Sequence, residues 1–393
     1  MDVRAILLVG PSAAAGSARE QIAGVPIALL DVLGRSLVHR VIERLHRSVD
    51  EIAVIVEGGE GEAEQFARLI TSTAALPGVN ATVMPAGGEM WRAAEQAFSD
   101  FAQDGAEIVV AVRLGHYAEI DFDHMVQFHI DRNARVTSAM HEGQDLGAFA
   151  ISASRRNDAA YLFRHQFTEC REPCMQYAFT GYHNPLADAA DLRQLTRDAL
   201  MLRNAIHPTG KQIKPGVWAG EGARIDRGAR ILAPAFIGAR ARVRTAAVLT
   251  RCTSVEHHGE VDCGTVVEDA SVLPFSYVGA GLDVSQAVVG FRRLISLQRK
   301  AEVEFSDPTL ISMSSMHAPV RAIASVAALV TYLPKQIFLG FFGKSRREKP
   351  TDRSAVVRAN PPASHSPALQ NAAEQDSAEF PSNLAVARRY GNE

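Results

Sequence analysis

The sequence lacks the features that define several large classes of protein. It has four cysteines in 393 residues, which are too few and too scattered for a disulfide framework. Its net charge of −3 offers no basic excess for binding nucleic acid. Its apolar segment at 322–333 is shorter than the ~20 residues that cross a bilayer. The N-terminal apolar run is short and ends in a Pro/Ser/Ala turn, as a buried strand does and a signal peptide does not. These absences predict a cytoplasmic protein that binds no nucleic acid.

The composition is that of a globular protein with a sizeable core, since 47% of the residues are hydrophobic and 22% are charged. Up to residue 205, short apolar runs alternate with stretches of helical periodicity. The predicted strands are 5–9, 51–57, 81–84, 107–112, 136–140 and 147–152, and the predicted helices are 36–48, 61–70, 90–101, 122–132 and 188–204. This alternation predicts an α/β domain over residues 1–205 with a mostly parallel sheet. Its ligand site is expected beyond the C-terminal ends of the strands, in the loops after Val9, Met84 and Val112.

Past residue 205 the apolar residues recur every six positions. With one slip of a residue before Val278, the series is Ile213, Ala219, Ile225, Ile231, Ile237, Val243, Leu249, Val255, Val261, Val267, Leu273, Val278 and Val284. Neither a helix nor a plain strand has this repeat, whereas a triangular coil with three short faces does. We therefore predict a left-handed parallel β-helix over residues 206–292, a rigid element that commonly serves oligomerisation. A sandwich of unrelated short strands is the alternative, but a strict period is unexpected there.

The remaining sequence divides near residue 343. Residues 293–343 contain an apolar, aromatic segment, and the stretch 319–350 has six Lys or Arg and one Glu. An apolar face beside basic residues suits a segment that lies on a membrane surface or docks on a membrane protein at the inner face of the membrane. A helical hairpin packed on the β-helix or on a partner subunit explains the pattern equally well. Residues 344–393 are rich in Pro, Ser, Ala and Glu, which predicts disorder.

Several stretches occur in the order found in one enzyme family. They are Pro26-Ile27-Ala28-Leu29-Leu30-Asp31-Val32, Gly34-Arg35-Ser36-Leu37-Val38, Val41–Leu45, Val109–His129 and Gly181–Leu200. They resemble the "PKPLLPV-GKPLIEHVIERL", glycine-aspartate and "GYWxDIGTP" segments of the sugar-1-phosphate nucleotidyltransferases, the NDP-sugar and GDP-mannose pyrophosphorylases. Gly216-Val217-Trp218 and Ser271–Gly279 resemble the β-helix of the same enzymes, so the match covers roughly residues 3–300. The resemblance implies a Rossmann-like nucleotidyltransferase (GT-A-like) domain followed by a left-handed parallel β-helix.

The resemblance also implies a chemistry whose main groups are missing here. In these enzymes a sugar-1-phosphate attacks the α-phosphate of an NTP, and a glycine-rich loop, a lysine and carboxylate-held Mg²⁺ offset the phosphate charge. The family's lysine falls on Ile27, and its two metal-binding aspartates fall on His116 and Pro185. Its glycine-rich loop falls on residues 10–19, which keep only Gly10 and Gly16.

Part of the family's sugar-binding side is missing as well. Met140 is followed within a few residues by Asp145–Phe149, which resembles the family's later "NAGIYVF" strand. The long sugar-binding stretch that the family places between these two parts is therefore cut away. We expect no catalytic residue and no metal ligand, and we place residual binding of a nucleotide or sugar nucleotide at Gly10, Gly16, Arg19 and Gly88.

These features predict a non-catalytic regulatory or scaffolding protein of sugar-nucleotide or surface-polysaccharide synthesis. It would need no cofactor and would form homo- or hetero-oligomers through the β-helix. The alternative is an active, divergent sugar-1-phosphate nucleotidyltransferase, which would use Mg²⁺. A hexapeptide acyltransferase with His257 as its base is a further hypothesis, but the unbroken period leaves little room for the protruding loop of those enzymes.

His116 leaves one metal hypothesis open. Imidazole suits a metal softer than Mg²⁺, and Asp121 or Asp123 follows closely enough in the sequence to assist. The simpler interpretation of both aspartates is that they stabilise the start of a helix.

Two other pairs of residues have the composition of metal ligands. Cys170 and Cys174 are spaced as two zinc ligands can be, but no second pair accompanies them, so ordinary thiols are the simpler interpretation. His257 and His258 are interpreted as a solvated corner of the β-helix.

Overall fold

The computed structural model describes residues 1–10, 21–58, 78–85, 90–153, 163, 174–290, 292–314 and 356–358. Within them, the first half of the chain forms a large sheet with helices packed against it, and the second half forms three further sheets. The protein is therefore of mixed α/β class with mostly parallel sheets.

Strands and helices alternate along the first half. The strands are β1 (Val3–Val9), β2 (Gln21–Ile22), β3 (Val25–Pro26), β4 (Asp31–Val32), β5 (Arg35–Ser36), β6 (Glu51–Gly58), β7 (Val79–Pro85), β8 (Ile108–Leu114), β9 (Tyr117–Ala118), β10 (Val136–His141), β11 (Gln144–Ser152), β12 (Met175–Ala178) and β13 (His183–Asn184). The helices are α1 (Leu37–Leu45), α2 (Met90–Gln103), α3 (Phe122–Asp131) and α4 (Ala189–Leu200), with a 3-10 turn at Ile27–Leu29.

Seven of these strands form one sheet in the order β12-β10-β11-β8-β1-β6-β7. Its neighbouring strands are parallel except at β11, which runs antiparallel to β8 and β10. Strands β1 and β8 are apolar and buried along nearly their whole length, as parallel strands covered on both faces are. The C-terminal ends of β1, β6, β8, β10 and β12 consequently lie at one edge of the sheet.

The strands and helices predicted for this half are confirmed where the structure describes them, with shifts at their ends. Helix α1 begins after Ser36, whose hydroxyl accepts a hydrogen bond from the His39 N–H at 3.4 Å. The helix predicted to reach residue 204 ends at Leu200, and the strand predicted at 81–84 is longer, at Val79–Pro85. The helix predicted at 61–70 lies outside the described residues.

The second half is built from short strands. They are β14 (Lys211–Lys214), β15 (Val217–Ala219), β16 (Arg224–Ile225), β17 (Arg230–Ile231), β18 (Ala235–Ile237), β19 (Arg242–Val243), β20 (Val248–Thr250), β21 (Thr253–Val255), β22 (Glu260–Val261), β23 (Val266–Glu268), β24 (Ser271–Val272), β25 (Ser276–Val278), β26 (Asp283–Ser285), β27 (Ala287–Gly290), β28 (Arg293–Ser296), β29 (Ala301–Glu304) and β30 (Ile311–Met313). We call residues 211–313 the three-sheet region.

From β15 onwards, each strand up to β24 pairs in parallel with the strand three further along the chain, so the backbone passes through three sheets in turn. Aliphatic side chains at regular intervals fill the space between the sheets. The fully buried ones are Ile237, Val243, Leu249, Val255, Val261, Val267, Val272 and Val278. This repeated burial is what the six-residue period predicts.

Two details of the predicted register are wrong. The one-residue slip lies before Val272 and not before Val278, because Val272 pairs with Val255 and belongs to the interior, whereas Leu273 packs against the first half of the chain. Ile213 is 47% exposed, because β14 pairs antiparallel with β15 outside the repeating series. Beyond residue 292, strands β28 and β29 extend one of the sheets, and β30 pairs with β25.

The C-terminal predictions are largely untested. Residues 319–350, expected at a membrane surface, lie outside the described residues. Val356–Arg358, in the segment expected to be disordered, form β31 against β29. In the described ranges, no helix combines the length and apolarity needed to cross a bilayer.

One apolar cluster joins the two halves of the chain. Leu30 and Leu192 of the first half belong to the same cluster as Phe236, Leu273 and Val288 of the three-sheet region. Each of these side chains is at most 1% exposed. Because burying a large apolar side chain contributes about 1.5–3 kcal/mol, the cluster holds both halves together as one compact unit.

Candidate ligand site at the sheet edge

Three histidines come together at the C-terminal edge of the seven-stranded sheet. His116 follows β8, His141 ends β10, and His183 begins β13. The centre of the His183 ring lies 5.2 Å from that of His116 and 5.0 Å from that of His141. Open α/β sheets bind ligands at this edge, so we treat these three residues, the histidine cluster, as the core of the candidate site.

Main-chain groups orient two of the three rings. The Nδ1 atom of His141 lies 3.0 Å from the carbonyl oxygen of Phe179, and His116 hydrogen-bonds to the main chain of Leu146. In a neutral imidazole, a nitrogen that donates to a carbonyl leaves the other nitrogen as an acceptor. In His116, whose ring is neutral, the main-chain bond therefore leaves one acceptor nitrogen at a position that the backbone fixes.

Two of the rings are held in the neutral form. Burial, together with His183 and Arg113, lowers the pKa of His116 to about 4. Burial and His141 lower the pKa of His183. Neutral imidazoles provide no countercharge for a phosphate, and Mg²⁺ prefers oxygen ligands, so this part of the edge does not fit a magnesium–triphosphate.

A cavity of about 390 Å³ adjoins the cluster at His141. Its lining includes Glu142 in the β10–β11 turn, Gln176 on β12, and Phe179 and Thr180 after it. Its volume is within the range of about 300–1,000 Å³ that is usual for small-molecule sites. The cavity extends the candidate site from the histidines toward the edge strand of the sheet.

Gly10 is the one predicted nucleotide-binding residue that the structure describes, since Gly16, Arg19 and Gly88 lie outside the described residues. Its φ is +143°, and a Cβ atom there would lie 2.6 Å from the carbonyl oxygen of Glu57. No side chain fits so close to main chain, and L-residues rarely adopt this conformation. Gly10 therefore allows the end of β1 to pass beside the end of β6.

Replacing Gly10 with alanine is expected to lower the free energy of unfolding by more than about 2 kcal/mol, because strain at positive φ adds to a clash with main chain. Denaturant unfolding of the purified variant measures this loss. Gly105→Ala is the matched control, since its φ of +97° is also positive but nothing lies within 4 Å of the added Cβ. Equal losses in the two variants would contradict the close approach at Glu57.

At the positions where the resemblance implies charged catalytic side chains, the structure has uncharged residues in other roles. Ile27 is 6% exposed and belongs to the apolar cluster between the two halves. Pro185 directly follows β13. Strands β10 and β11 are joined by only Glu142 and Gly143, whose φ values of 49° and 83° are typical of a tight hairpin turn. The link between these two strands therefore leaves no room for a long sugar-binding insertion.

The aspartates considered with His116 have a helical role. Asp121 is the N-cap of α3 and accepts a hydrogen bond from the His124 N–H at 3.0 Å, and Asp123 lies in the first turn. The helix-start interpretation is confirmed. Within the described part of the chain, no three His, Cys, Asp or Glu side chains are placed so that they could hold a metal ion.

The two pairs with the composition of metal ligands, interpreted as thiols and as a solvated corner, have separate outcomes. Cys174 forms no disulfide bond within the described residues, and Cys170 lies outside them. The interpretation of His257 as a solvated corner is wrong, because its ring forms an ion pair with the buried Asp31 of the first half. His258 stacks on Phe275, with ring centres 4.7 Å apart.

Comparison with known proteins adds no assignment: no protein-family model and no curated protein matches the chain.

His141 and His183 were missed as site residues by the sequence analysis. They belong to different segments, and no motif links either one to His116. The available signal was position, because His116 and His141 each stand where a predicted strand ends. Only the order of strands in the sheet places these ends side by side.

Proposed function

We propose that the chain is a nucleotidyltransferase-like protein that has lost transferase catalysis and serves as a regulatory or scaffolding component of sugar-nucleotide or surface-polysaccharide synthesis. In this proposal the seven-stranded sheet is a Rossmann-like, GT-A-like nucleotidyltransferase domain, and the three-sheet region is a left-handed parallel β-helix. The strand order, the parallel pairing and the sequence resemblance support both assignments.

The observation that carries the proposal is the environment of His116. This residue stands at the end of β8, where the resemblance places a metal-binding aspartate, and its pKa of about 4 keeps the ring neutral at pH 7. Transfer to the α-phosphate of an NTP needs the phosphate charge to be offset by metal and cationic groups. Ile27, which occupies the family's lysine position, cannot supply that charge because it lies in an apolar core.

A scaffolding role is supported by how the two halves are joined. Arg193 of α4 is 1% exposed and donates to the main-chain carbonyl of Cys252 and to the side chain of Asp269, both in the three-sheet region. Charge-assisted hydrogen bonds of this kind have a defined geometry, so they fix the orientation of the two halves as well as stabilising their contact. A fixed three-sheet region can present one surface to a partner subunit, which suits homo- or hetero-oligomerisation.

The proposal is tested by incubating the purified protein with Mg²⁺, sugar-1-phosphates and each of GTP, UTP and dTTP, and measuring pyrophosphate. We expect no release above a blank without protein, because the charge-compensating groups are absent from the positions that would need them. An active pyrophosphorylase in the same assay is the control. Mg²⁺-dependent turnover would establish the alternative, an active divergent sugar-1-phosphate nucleotidyltransferase.

Residual ligand binding is a separate part of the proposal. A nucleotide or sugar nucleotide that binds the folded state raises the midpoint of thermal unfolding. The same nucleotides and their sugar conjugates, each tested with and without Mg²⁺, identify the ligand. The proposed binding residues are Gly10, Gly16, Arg19 and Gly88.

The location proposed is the cytoplasm, with attachment to the inner face of the membrane through residues 319–350. Deleting this basic, apolar stretch is expected to move the protein from the membrane fraction to the supernatant, because both attractions to the lipid surface are lost. Fractionation of cells that express the full chain or the deletion measures the change. A full-length protein found wholly in the supernatant would contradict membrane attachment.

A further inference from the structure

The hairpin of β4 and β5 is held by a carboxyl group from the three-sheet region. Its turn residues, Leu33 and Gly34, have φ values of 54° and 88°. Glu256 accepts hydrogen bonds from the N–H groups of both, at 3.0 Å and 2.8 Å. The left-handed backbone at Leu33 is unusual for a residue with a side chain, so these two bonds support a turn that sequence alone does not favour.

A second pair of residues connects the β4–β5 hairpin to the three-sheet region at the same place, which we call the joint. Nδ1 of His257 is bonded to a carboxyl oxygen of Asp31 at the start of the hairpin. Asp31 is 6% exposed and Glu256 is 1% exposed. Where the two halves of the chain touch, the His257 imidazole is thus bonded to one buried carboxyl group, that of Asp31, and lies within range of the charge of a second, that of Glu256. Like charges in a buried site are costly, so the charge of Asp31 disfavours ionisation of Glu256.

Other charged groups also face this joint, and they come from each element packed on it. They are Arg35 at the hairpin, His39 and Arg40 on α1, and His258 beside His257. Arg40 directs its guanidinium to the main-chain carbonyl of Val32, also in the hairpin. Among the described residues, the hydrogen bonds of the Glu256 carboxyl come from these two main-chain N–H groups.

The protonation of the joint follows from these neighbours. Burial and the Asp31 carboxylate raise the pKa of Glu256 to about 8, although the two N–H groups and His257 act in the opposite direction. Burial alone would lower the pKa of His257, but the hydrogen bond and charge of Asp31 raise it. In the closed joint, Glu256 therefore keeps its proton at pH values where a solvated glutamic acid has lost it.

We propose that Asp31, Glu256 and His257 form a proton-dependent lock between the β4–β5 hairpin and the three-sheet region. The lock is tightest in weak acid, where Glu256 is protonated both in the closed joint and in solvent. It loosens as the pH rises toward 8, because opening the joint then allows Glu256 to ionise in water. This device concerns the coupling of the two halves and does not depend on the proposed function.

The direction in which pH changes the opening of the joint follows from the proton on the Glu256 carboxyl group. A carboxyl group whose pKa is higher in the closed than in the open joint favours opening as pH rises, by about tenfold per pH unit between the two pKa values. Amide hydrogen exchange of Leu33 and Gly34, corrected for intrinsic rates, reports this opening. In the full-length protein we expect their protection to fall about tenfold per unit between pH 5.5 and 7.5.

Glu256→Gln is the test variant, because glutamine has a similar size and does not titrate. It retains one acceptor oxygen for the turn, so the level of protection drops and the part of the pH dependence that Glu256 contributes disappears, which leaves only the smaller dependence from the neighbouring histidines. Val110 in β8 serves as the internal control for global opening. A flat profile in the natural sequence, or an equal slope in Glu256→Gln, would overturn the lock.

Infrared spectroscopy gives an independent readout that does not depend on how far the joint opens. At pH 6.5 the natural protein is expected to show the carbonyl band of a buried protonated carboxylic acid, which Glu256→Gln lacks. In His257→Gln the band should persist to higher pH, since the imidazolium that favours the ionised carboxylate is gone. Identical bands in the natural protein and in Glu256→Gln at pH 6.5 would overturn the proposal.

Discussion

Replacing Arg193 with methionine is expected to lower the free energy of unfolding by about 3 kcal/mol. The guanidinium is 1% exposed, and its Nε donates to the main-chain carbonyl of Asp269 at 3.0 Å. Its Nη2 atom donates to the Asp269 carboxylate and to the carbonyl of Cys252. Methionine fills much of the space but leaves the main-chain carbonyls of Asp269 and Cys252 without this donor, while the Asp269 carboxylate keeps Arg197. Chemical denaturation followed by circular dichroism measures the loss.

Arg197→Met is the matched control for this prediction. Arg197 also binds Asp269, at 2.7 Å, but its side chain is 33% exposed. Water can replace its hydrogen bonds, so we expect a loss below about 1 kcal/mol. If Arg193→Met were as mild as Arg197→Met, the contact between α4 and the three-sheet region would not hold the two halves together as described.

The second large effect is a loss of stability in acid. His129 is 2% exposed, and its ring nitrogens lie 2.8 Å from the hydroxyl oxygens of Thr137 and Ser152. Burial lowers its pKa to about 4, so in the folded state the ring stays neutral where the unfolded chain binds a proton. Stability is therefore fully present above pH 6.5 and is lost as the pH falls through 6.5 toward 4. We expect this residue to account for about 3 kcal/mol of that loss, and His116 acts in the same direction.

The free energy of unfolding, measured between pH 7 and pH 4, tests the assignment to His129. His129→Gln is expected to be less stable at pH 7, because it disturbs two buried hydrogen bonds, but its stability should fall less steeply in acid. His124→Gln, an exposed change on the same helix, should leave the slope of the natural protein intact. An unchanged slope in His129→Gln would show that other groups cause the acid sensitivity.

Much of the architecture could be predicted because it depends on local periodicity. The runs at β1 and β8 are apolar at every buried position, and the six-residue spacing from Ile237 to Val267 coincides with fully buried side chains. Ser36 could be expected to start α1, since its hydroxyl accepts from a free N–H of the first turn. Each of these signals is complete within a few residues of sequence.

The errors occurred where a residue has two possible burial environments. Val272 and Leu273 are adjacent and both apolar, so periodicity alone does not decide which one points between the sheets. The structure buries Val272 there and packs Leu273 on the first half of the chain. His257 was misassigned for a related reason, because its partner Asp31 lies in a different half of the chain.

The candidate site was the least predictable part of the protein. Its three histidines come from the ends of β8 and β10 and from β13, and their proximity depends on the crossing of the chain between strands. The pKa values of His116 and His183 depend on burial and on a neighbouring ring. The sequence resemblance places a carboxylate at the position of His116, but sequence could not show that the ring there would be neutral.

The central claim is that the neutral His116 ring cannot hold Mg²⁺ for a triphosphate as a carboxylate at this position would. Its most direct test is an NMR titration of the His116 ring, assigned with His116→Gln, in the presence and absence of Mg²⁺ and GTP. The account predicts a midpoint near pH 4 that neither addition changes. A ring that titrates above pH 6, or one whose signals shift when Mg²⁺ is added with GTP, would contradict it.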